Sequence, residues 1–181
     1  MPLIDLNYFV RELQIGQIEL PVVSNPVRDF IKVYEPQFLT LLLGKDLYKD
    51  FTDGLALDPV PQKWQDLKAL LIDTDLKVSP IANYVYWFYM KNSNTRTGGI
   101  GEVKPNAENA QTVNNLDKRV YVWNEMVSWV WQNADELKTY HDDDIETDKP
   151  WFVINPSTYR GWEFWQYYKE CPFEPVNSLG I

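Results

Sequence analysis

Residues 79–92, SPIANYVYWFYMKN, decide the fold, because this stretch reads as a helix that is apolar on nearly every face. Ser79 can cap the first helical amides, and Pro80 suits the first turn, where a missing N–H costs nothing. The apolar side chains recur at helical spacing: Ile81, Tyr84, Val85 and Phe88 on one face, with Tyr86, Trp87 and Met90 on others. Helices of this kind are usually buried. We therefore predict a central core helix, with partial exposure to a neighbouring subunit as the alternative.

Upstream, a first amphipathic helix is predicted to begin near Asn25 and to end at Gly44. Asn25 is a good cap, Pro26 fits the first turn, and a glycine in the left-handed region is a common helix terminator. Its inward face repeats at helical spacing: Val27, Phe30, Ile31, Tyr34, Phe38, Leu41 and Leu42. Pro36 lies inside the pattern and is expected to kink or break the helix just before it.

Shorter elements fill the rest of the first half of the chain. KDLYKDFTDG predicts a short helix that ends at Gly54, and residues 59–73 predict another. The second of these turns four side chains inward: Trp64, Leu67, Leu70 and Leu71. At the N-terminus, a short helix from Asp5 to Leu13 is followed by QIGQIELP, which alternates like an edge strand.

The longest element is predicted downstream, over residues 113–137. Its apolar residues step alternately by three and four: Val113, Leu116, Val120, Trp123, Val127, Val130, Ala134 and Leu137. Such a pattern is typical of a long helix with one packing seam. We expect this helix to pack antiparallel to the helix at 79–92, with the intervening glycine loop joining their ends.

Together these elements predict a mainly α protein. It is a helical bundle with one long helix, a protruding glycine-rich loop between two core helices, and an extended C-terminal arm. Residues 1–150 form the bundle, including the loop at 92–106, and residues 151–181 form an aromatic segment and the arm. The arm carries two prolines, which exclude helix and interior strand.

Composition excludes several classes of function. The formal net charge of the 181-residue chain is −9, so the excess of Lys and Arg that neutralises nucleic-acid phosphates is missing. The first residues have neither the basic start nor the continuous apolar core of a signal peptide. No run approaches the roughly 18 apolar residues of a membrane helix. We expect a soluble, intracellular protein that does not bind DNA tightly.

The sequence supports no catalytic, cofactor or metal site. The stretch TGGIGEV follows a helix, lacks the Lys-Ser/Thr pair of a phosphate loop, and places Glu102 where a phosphate would be repelled. It is therefore interpreted either as a flexible surface connector or as a loop that orders against another chain. The acidic run at residues 142–148 lacks the central glycine and the ligand spacing of a calcium-binding loop. It is interpreted as a group of charged side chains exposed to solvent. A single cysteine, Cys171, and a single histidine, His141, are too weak a pair to define a nucleophile. We predict no enzymatic activity and no cofactor.

The segment at 151–168 is dense in aromatic side chains: Trp151, Phe152, Tyr159, Trp162, Phe164, Trp165, Tyr167 and Tyr168. Aromatic residues of this density occur in cores, at protein interfaces, and on platforms that stack sugars. Core packing is the preferred interpretation. A carbohydrate- or peptide-binding module that uses this segment is the alternative function.

Three stretches carry a resemblance to a known family. FIKVYEPQFLTLLLGKDLYKDF, at 30–51, resembles the opening helices of head–tail connector (adaptor) proteins of tailed bacteriophages, and most of all those from Bacteroidetes phages and prophages. YVYWFYMKNSNTRTGGIGEVKPNAENA, at 84–110, is similar to the break between two long helices in that family. VNSLGI, at 176–181, is similar to its tail. The likeness covers roughly residues 20–140 and the tail; the aromatic segment has no counterpart in it.

The resemblance implies a structural virion protein of the neck, made in the cytoplasm of a bacterial host. Such subunits form a ring, typically a dodecamer, under the portal protein; they contact the next tail or neck protein and let DNA pass without binding it specifically. No membrane is involved. The loop from Asn92 to Asn106 and the arm from Cys171 to Ile181 would contact neighbours. The implied interface residues are Asn94, Thr95, Arg96, Thr97, Gly98, Gly99, Ile100, Gly101, Glu102, Phe173, Val176, Asn177, Leu179 and Ile181.

Overall fold

A computed structural model describes residues 2–93, 96–98, 101–103 and 116–140, and within them the protein is a mainly helical bundle. Two 3₁₀ turns, at Leu6–Tyr8 and Arg11–Leu13, come before the first helix. The helices and strands are α1 Pro21–Leu43, α2 Lys45–Leu55, α3 Gln62–Leu71, α4 Pro80–Ser93, β1 Arg96–Gly98, β2 Gly101–Val103, α5 Leu116–Gln132 and α6 Ala134–Lys138. The predicted mainly α fold is confirmed. The acidic linker, the aromatic segment and the arm lie outside the described residues.

Helix α1 differs from its prediction at its start and in its middle. It begins at Pro21, which takes the first-turn position expected of Pro26, and it continues through Pro36 to Leu43. Of the two outcomes predicted for Pro36, the break does not occur, and the kink stays a prediction. An interior proline disfavours a helix by about 3 kcal/mol, but the buried apolar face of α1 holds the helix on both sides of it. The predicted end is confirmed, since Gly44 has φ 79° and its N–H donates to the Thr40 carbonyl at 3.0 Å.

Gly54 was predicted to terminate α2, but in the structure it lies within the helix at a close contact with α3. The helix runs on to Leu55, so Gly54 lies within its last turn. A Cβ atom built on Gly54 would overlap the indole ring of Trp64, the residue through which α3 packs against α2. The absence of a side chain at Gly54 is what lets the two helices approach.

Replacing Gly54 with alanine is expected to destabilise the fold, although alanine is the better helix former. Helix propensity alone would favour alanine by about 1 kcal/mol, whereas overpacking against Trp64 costs about 1–3 kcal/mol. Urea unfolding followed by circular dichroism measures the net change. The double variant G54A/W64L removes the overlap and should recover part of the loss. An alanine variant more stable than the wild type would contradict this packing argument.

Helix α4 is the central element, as predicted. Five of its residues from Ile81 to Tyr86 are at most 2% exposed, and it packs on α1 on one side and α5 on the other. Its predicted cap is also present, because the Ser79 hydroxyl accepts from the Ile81 N–H at 3.2 Å. The same hydroxyl donates to the Leu71 carbonyl at 2.9 Å, which ties the start of α4 to the end of α3.

Helices α4 and α5 run antiparallel, as predicted. The Lys118 ammonium lies 5.2 Å from the centre of the Tyr86 ring, and the Asn83 amide donates to the Val122 carbonyl at 3.3 Å. The later residue of α4 thus contacts the earlier residue of α5, as it must when two helices run in opposite directions. The Trp87 and Trp123 rings also contact each other across the two helices, with centroids 5.0 Å apart.

The prediction of one long helix over residues 113–137 is not confirmed. Helix α5 ends at Gln132, and Asn133 leaves helical geometry before the short helix α6. The Asn133 side-chain amide donates to the Trp129 carbonyl at 2.7 Å, and such local bonds compete with a continuing helix. The longest described helix is α1, with 23 residues against 17 in α5.

The N-terminal segment also differs from the expected helix and strand. Two 3₁₀ turns replace the single helix, and residues 16–19 form a turn where an edge strand was predicted. Ile15 is buried and Gln17 has φ 58°, so the chain turns sharply into α1 immediately after anchoring Ile15 in the core.

Candidate protein-interaction sites

The predicted glycine loop contains a short β-hairpin. Strands β1 and β2 are antiparallel, with Arg96 opposite Val103, Thr97 opposite Glu102, and Gly98 opposite Gly101. Among the residues that the structure describes, they pack chiefly against each other. The hairpin therefore forms a separate element inserted between the ends of the two most closely packed helices, α4 and α5.

The structure places five of the predicted interface residues in this hairpin: Arg96, Thr97, Gly98, Gly101 and Glu102. The remaining predicted residues lie outside the described part of the chain: Asn94, Thr95, Gly99, Ile100, Phe173, Val176, Asn177, Leu179 and Ile181. The strands themselves were missed at the level of sequence. Thr-Gly-Gly at the centre of the loop was the available signal, because paired glycines favour tight hairpin turns.

A hairpin of two three-residue strands has two outer edges. Isolated two-stranded hairpins are marginally stable in water. An additional strand from another chain can pair with such an edge through main-chain hydrogen bonds. This geometry suits contact with a protein partner, since main-chain pairing requires no particular side chains from the hairpin.

A second feature, an open groove between α1, α2 and α3, was not predicted. It has a volume of about 1140 Å³, and residues of the N-terminal segment and of the α2–α3 connection complete its walls. Leu39 and Phe51, both nearly inaccessible, lie at its floor, while Lys68 and Ala69 are exposed at its edge. No local sequence signal marks the groove, because residues from at least five separate segments form it.

Glu35 is the buried charged group of this groove. Its side chain is 5% exposed, and its carboxylate accepts hydrogen bonds from the Leu3 N–H at 2.7 Å and the Ile4 N–H at 3.1 Å. Burial raises the pKa of Glu35, and the two hydrogen bonds oppose this shift only in part. The carboxylate thus fastens the N-terminal segment to α1, where that segment closes one side of the groove.

The Glu35 carboxylate is engaged by two backbone donors, so it holds structure in place. Within residues 2–93, 96–98, 101–103 and 116–140 there is no group of three or more His, Cys, Asp or Glu side chains that could hold a metal ion. In the same ranges, no helix is both long enough and apolar enough to span a bilayer.

Comparison with known proteins adds no relative: no family model, curated protein or solved structure matches this chain.

Proposed function

We propose that this chain is a head–tail connector subunit of a bacteriophage, a structural protein that forms a ring under the portal. In this proposal it catalyses no reaction and needs no cofactor. Its partners are further copies of itself, as a dodecamer in line with the family resemblance, the portal protein, and the next neck or tail protein. Its place is the neck of the virion.

The observation that carries the proposal is the insertion between α4 and α5. Antiparallel neighbouring helices in a bundle need connections of only about 2–8 residues, yet residues 94–115 separate these two. The insertion contains the β1–β2 hairpin, which packs chiefly on itself within the described part of the chain. A bundle gains little stability from such an element, so its use as a contact for another subunit accounts for its presence.

The charge of the chain supports the same function. A ring around passing DNA must not bind the phosphates, and binding of that kind depends on Lys and Arg that release counterions. This chain has 26 acidic residues against 17 Lys and Arg. An acidic wall lets DNA slide through without being held.

Deleting residues 94–106 is expected to abolish ring formation and leave the bundle folded. Residues 107–115 remain to join α4 to α5, so the free energy of unfolding should change by less than about 1 kcal/mol. Light scattering and negative-stain electron microscopy of the purified chain, with and without the portal protein, measure assembly. Leu57→Ser, an exposed change in the α2–α3 connection, is the control that should assemble normally.

The decisive experiment is electron microscopy of virions in which this chain carries an antibody-detectable tag. Label at the portal vertex is the expected result. Label on the capsid faces, on the tail fibres, or absent from the particle would contradict the connector function.

A further inference from the structure

The aromatic segment at 151–168 has no assigned role in a connector ring. It carries eight aromatic side chains, three of them Trp151, Trp162 and Trp165. Soluble proteins rarely leave a contiguous apolar surface of this size in water. The described bundle already has its own core, in which α4 is enclosed by α1 and α5, so the segment needs a separate apolar surface.

The groove between α1, α2 and α3 provides such a surface. Protein interiors are close-packed, and a groove of about 1140 Å³ is larger than the roughly 300–1,000 Å³ of most small-molecule sites. Its lining is mainly aliphatic and proline side chains. The volume and the lining can therefore accept several large side chains of a polypeptide.

The cations at the groove edge also suit aromatic side chains. Lys32 and Lys68 both line the groove, and Lys68 forms no ion pair with any of the described residues. Ammonium groups placed over aromatic rings, above all tryptophan, are stabilised by the charge distribution of the ring. The same fold already makes this contact next to the groove, where the Lys63 ammonium lies 5.0 Å from the centre of the Trp64 ring.

The described chain ends near α3, one of the three helices that border the groove. Tyr140 is buried, and its pKa is raised by that burial and by the charges of Glu136 and of Asp66 on α3. Residues 141–150 can span at most about 35 Å, while a globular unit of this size has a radius of gyration of about 14 Å. The aromatic segment can therefore reach every part of the groove on its own molecule.

We propose that the groove between α1, α2 and α3 is the docking site for residues 151–168 of the same chain. A short tether gives the segment an effective concentration of about 1 mM at its own groove, far above that of a second copy in dilute solution. This inference is independent of the connector function. It assigns the segment a receptor on the bundle, and leaves the hairpin and the arm free for other subunits.

Disulfide trapping tests the proposal in the full-length protein. In a Cys171→Ser background, Ser157→Cys places one thiol in the segment. Ala69→Cys on α3, or Thr52→Cys on α2, places the second at the groove edge, where both positions are exposed. Ser128→Cys, an exposed position on α5, is the matched control. Oxidised glutathione is added to dilute protein, and non-reducing gels resolve the products.

At least one groove cysteine is expected to form an intrachain disulfide about tenfold or more faster than the Ser128→Cys control. Thermal melting monitored by circular dichroism verifies that each variant is folded. Two groove positions are used so that the test remains possible if one cysteine variant does not fold. Equal rates for groove and control cysteines would overturn the proposal. Disulfide-linked dimers formed preferentially by the groove variants would also overturn it, because they would identify a second copy as the occupant.

Disulfide trapping also tests whether the C-terminal arm, and not the segment at 151–168, occupies the groove. In the single variant Ala69→Cys, the native Cys171 reports on the arm. Trapping of Cys171 at the groove, with no trapping of Ser157→Cys, would make the arm the occupant and refute the proposal. Limited proteolysis with chymotrypsin is a second measurement. Cleavage within 151–168 should be several-fold slower in the wild type than in an Ala69→Arg variant, in which the new side chain obstructs the groove. Ser128→Arg, on α5, is the control and should be cleaved at the wild-type rate.

Discussion

Replacing Tyr84 with alanine is expected to lower the free energy of unfolding by about 3–5 kcal/mol, the range for a large aromatic side chain removed from a core. Tyr84 is 2% exposed and lies where three helices meet. Its ring centroid is 5.3 Å from that of Phe38 on α1 and 6.1 Å from that of Trp123 on α5. Alanine would leave a cavity bordered by all three helices, which the surrounding residues can fill only in part.

Urea denaturation, followed by circular dichroism, measures this loss. Tyr121→Ala is the matched control, because the same side chain is removed from a position that is 49% exposed. Its effect should stay within about 0.5 kcal/mol. Similar losses for the two variants would show that α4 is not the packing centre of the bundle.

Replacing Glu35 with alanine is expected to lower the free energy of unfolding by about 2–4 kcal/mol. The change removes the acceptor for two backbone donors, Leu3 and Ile4, and an unsatisfied buried donor costs about 1–3 kcal/mol. Glu35→Gln should lose roughly half as much, because its amide keeps one oxygen acceptor. Faster amide exchange at Ile4 in the alanine variant would locate the damage. An alanine variant as stable as the wild type would contradict the anchoring role.

The pH dependence of stability tests the same carboxyl group. Its pKa is raised in the folded protein above the ordinary value of 4.5, so the folded state binds the proton more tightly than the unfolded chain. Protonation therefore stabilises the fold, and this contribution is complete below pH 4.5 and lost as the pH rises through the folded pKa. The difference in unfolding free energy between the wild type and Glu35→Gln should grow in favour of the wild type on acidification from pH 7. A difference that shrinks would show a lowered pKa.

Sequence patterns predicted those elements whose causes are local. Gly44 ends α1 because its backbone adopts positive φ, and Ser79 caps α4 with its own hydroxyl. The apolar surface of α4 on all faces identified it as the central helix before any neighbour was known. The antiparallel pairing of α4 and α5 followed from the same reasoning, since two apolar helices joined by one connection tend to pack side by side.

Elsewhere, tertiary contacts overruled the local signals. Pro36 would break an isolated helix, but the buried face of α1 holds the helix together on both sides of it. Gly54 looked like a terminator, and its role depends on Trp64, which packs against it from the next helix. The heptad pattern at 113–137 suggested one helix, yet Asn133 ends α5 through a bond to Trp129.

By itself, then, the sequence determined the mainly α class, the central helix and the segment inserted between α4 and α5. These follow from periodicity and from caps, in which each residue acts on neighbours a few positions away. Only the tertiary structure decided that Glu35 holds the N-terminal segment and that a groove opens between α1, α2 and α3. Both features involve residues that are far apart in the chain. Sequence periodicity describes only near neighbours, so it does not predict which distant surfaces pack together or how much space remains between them.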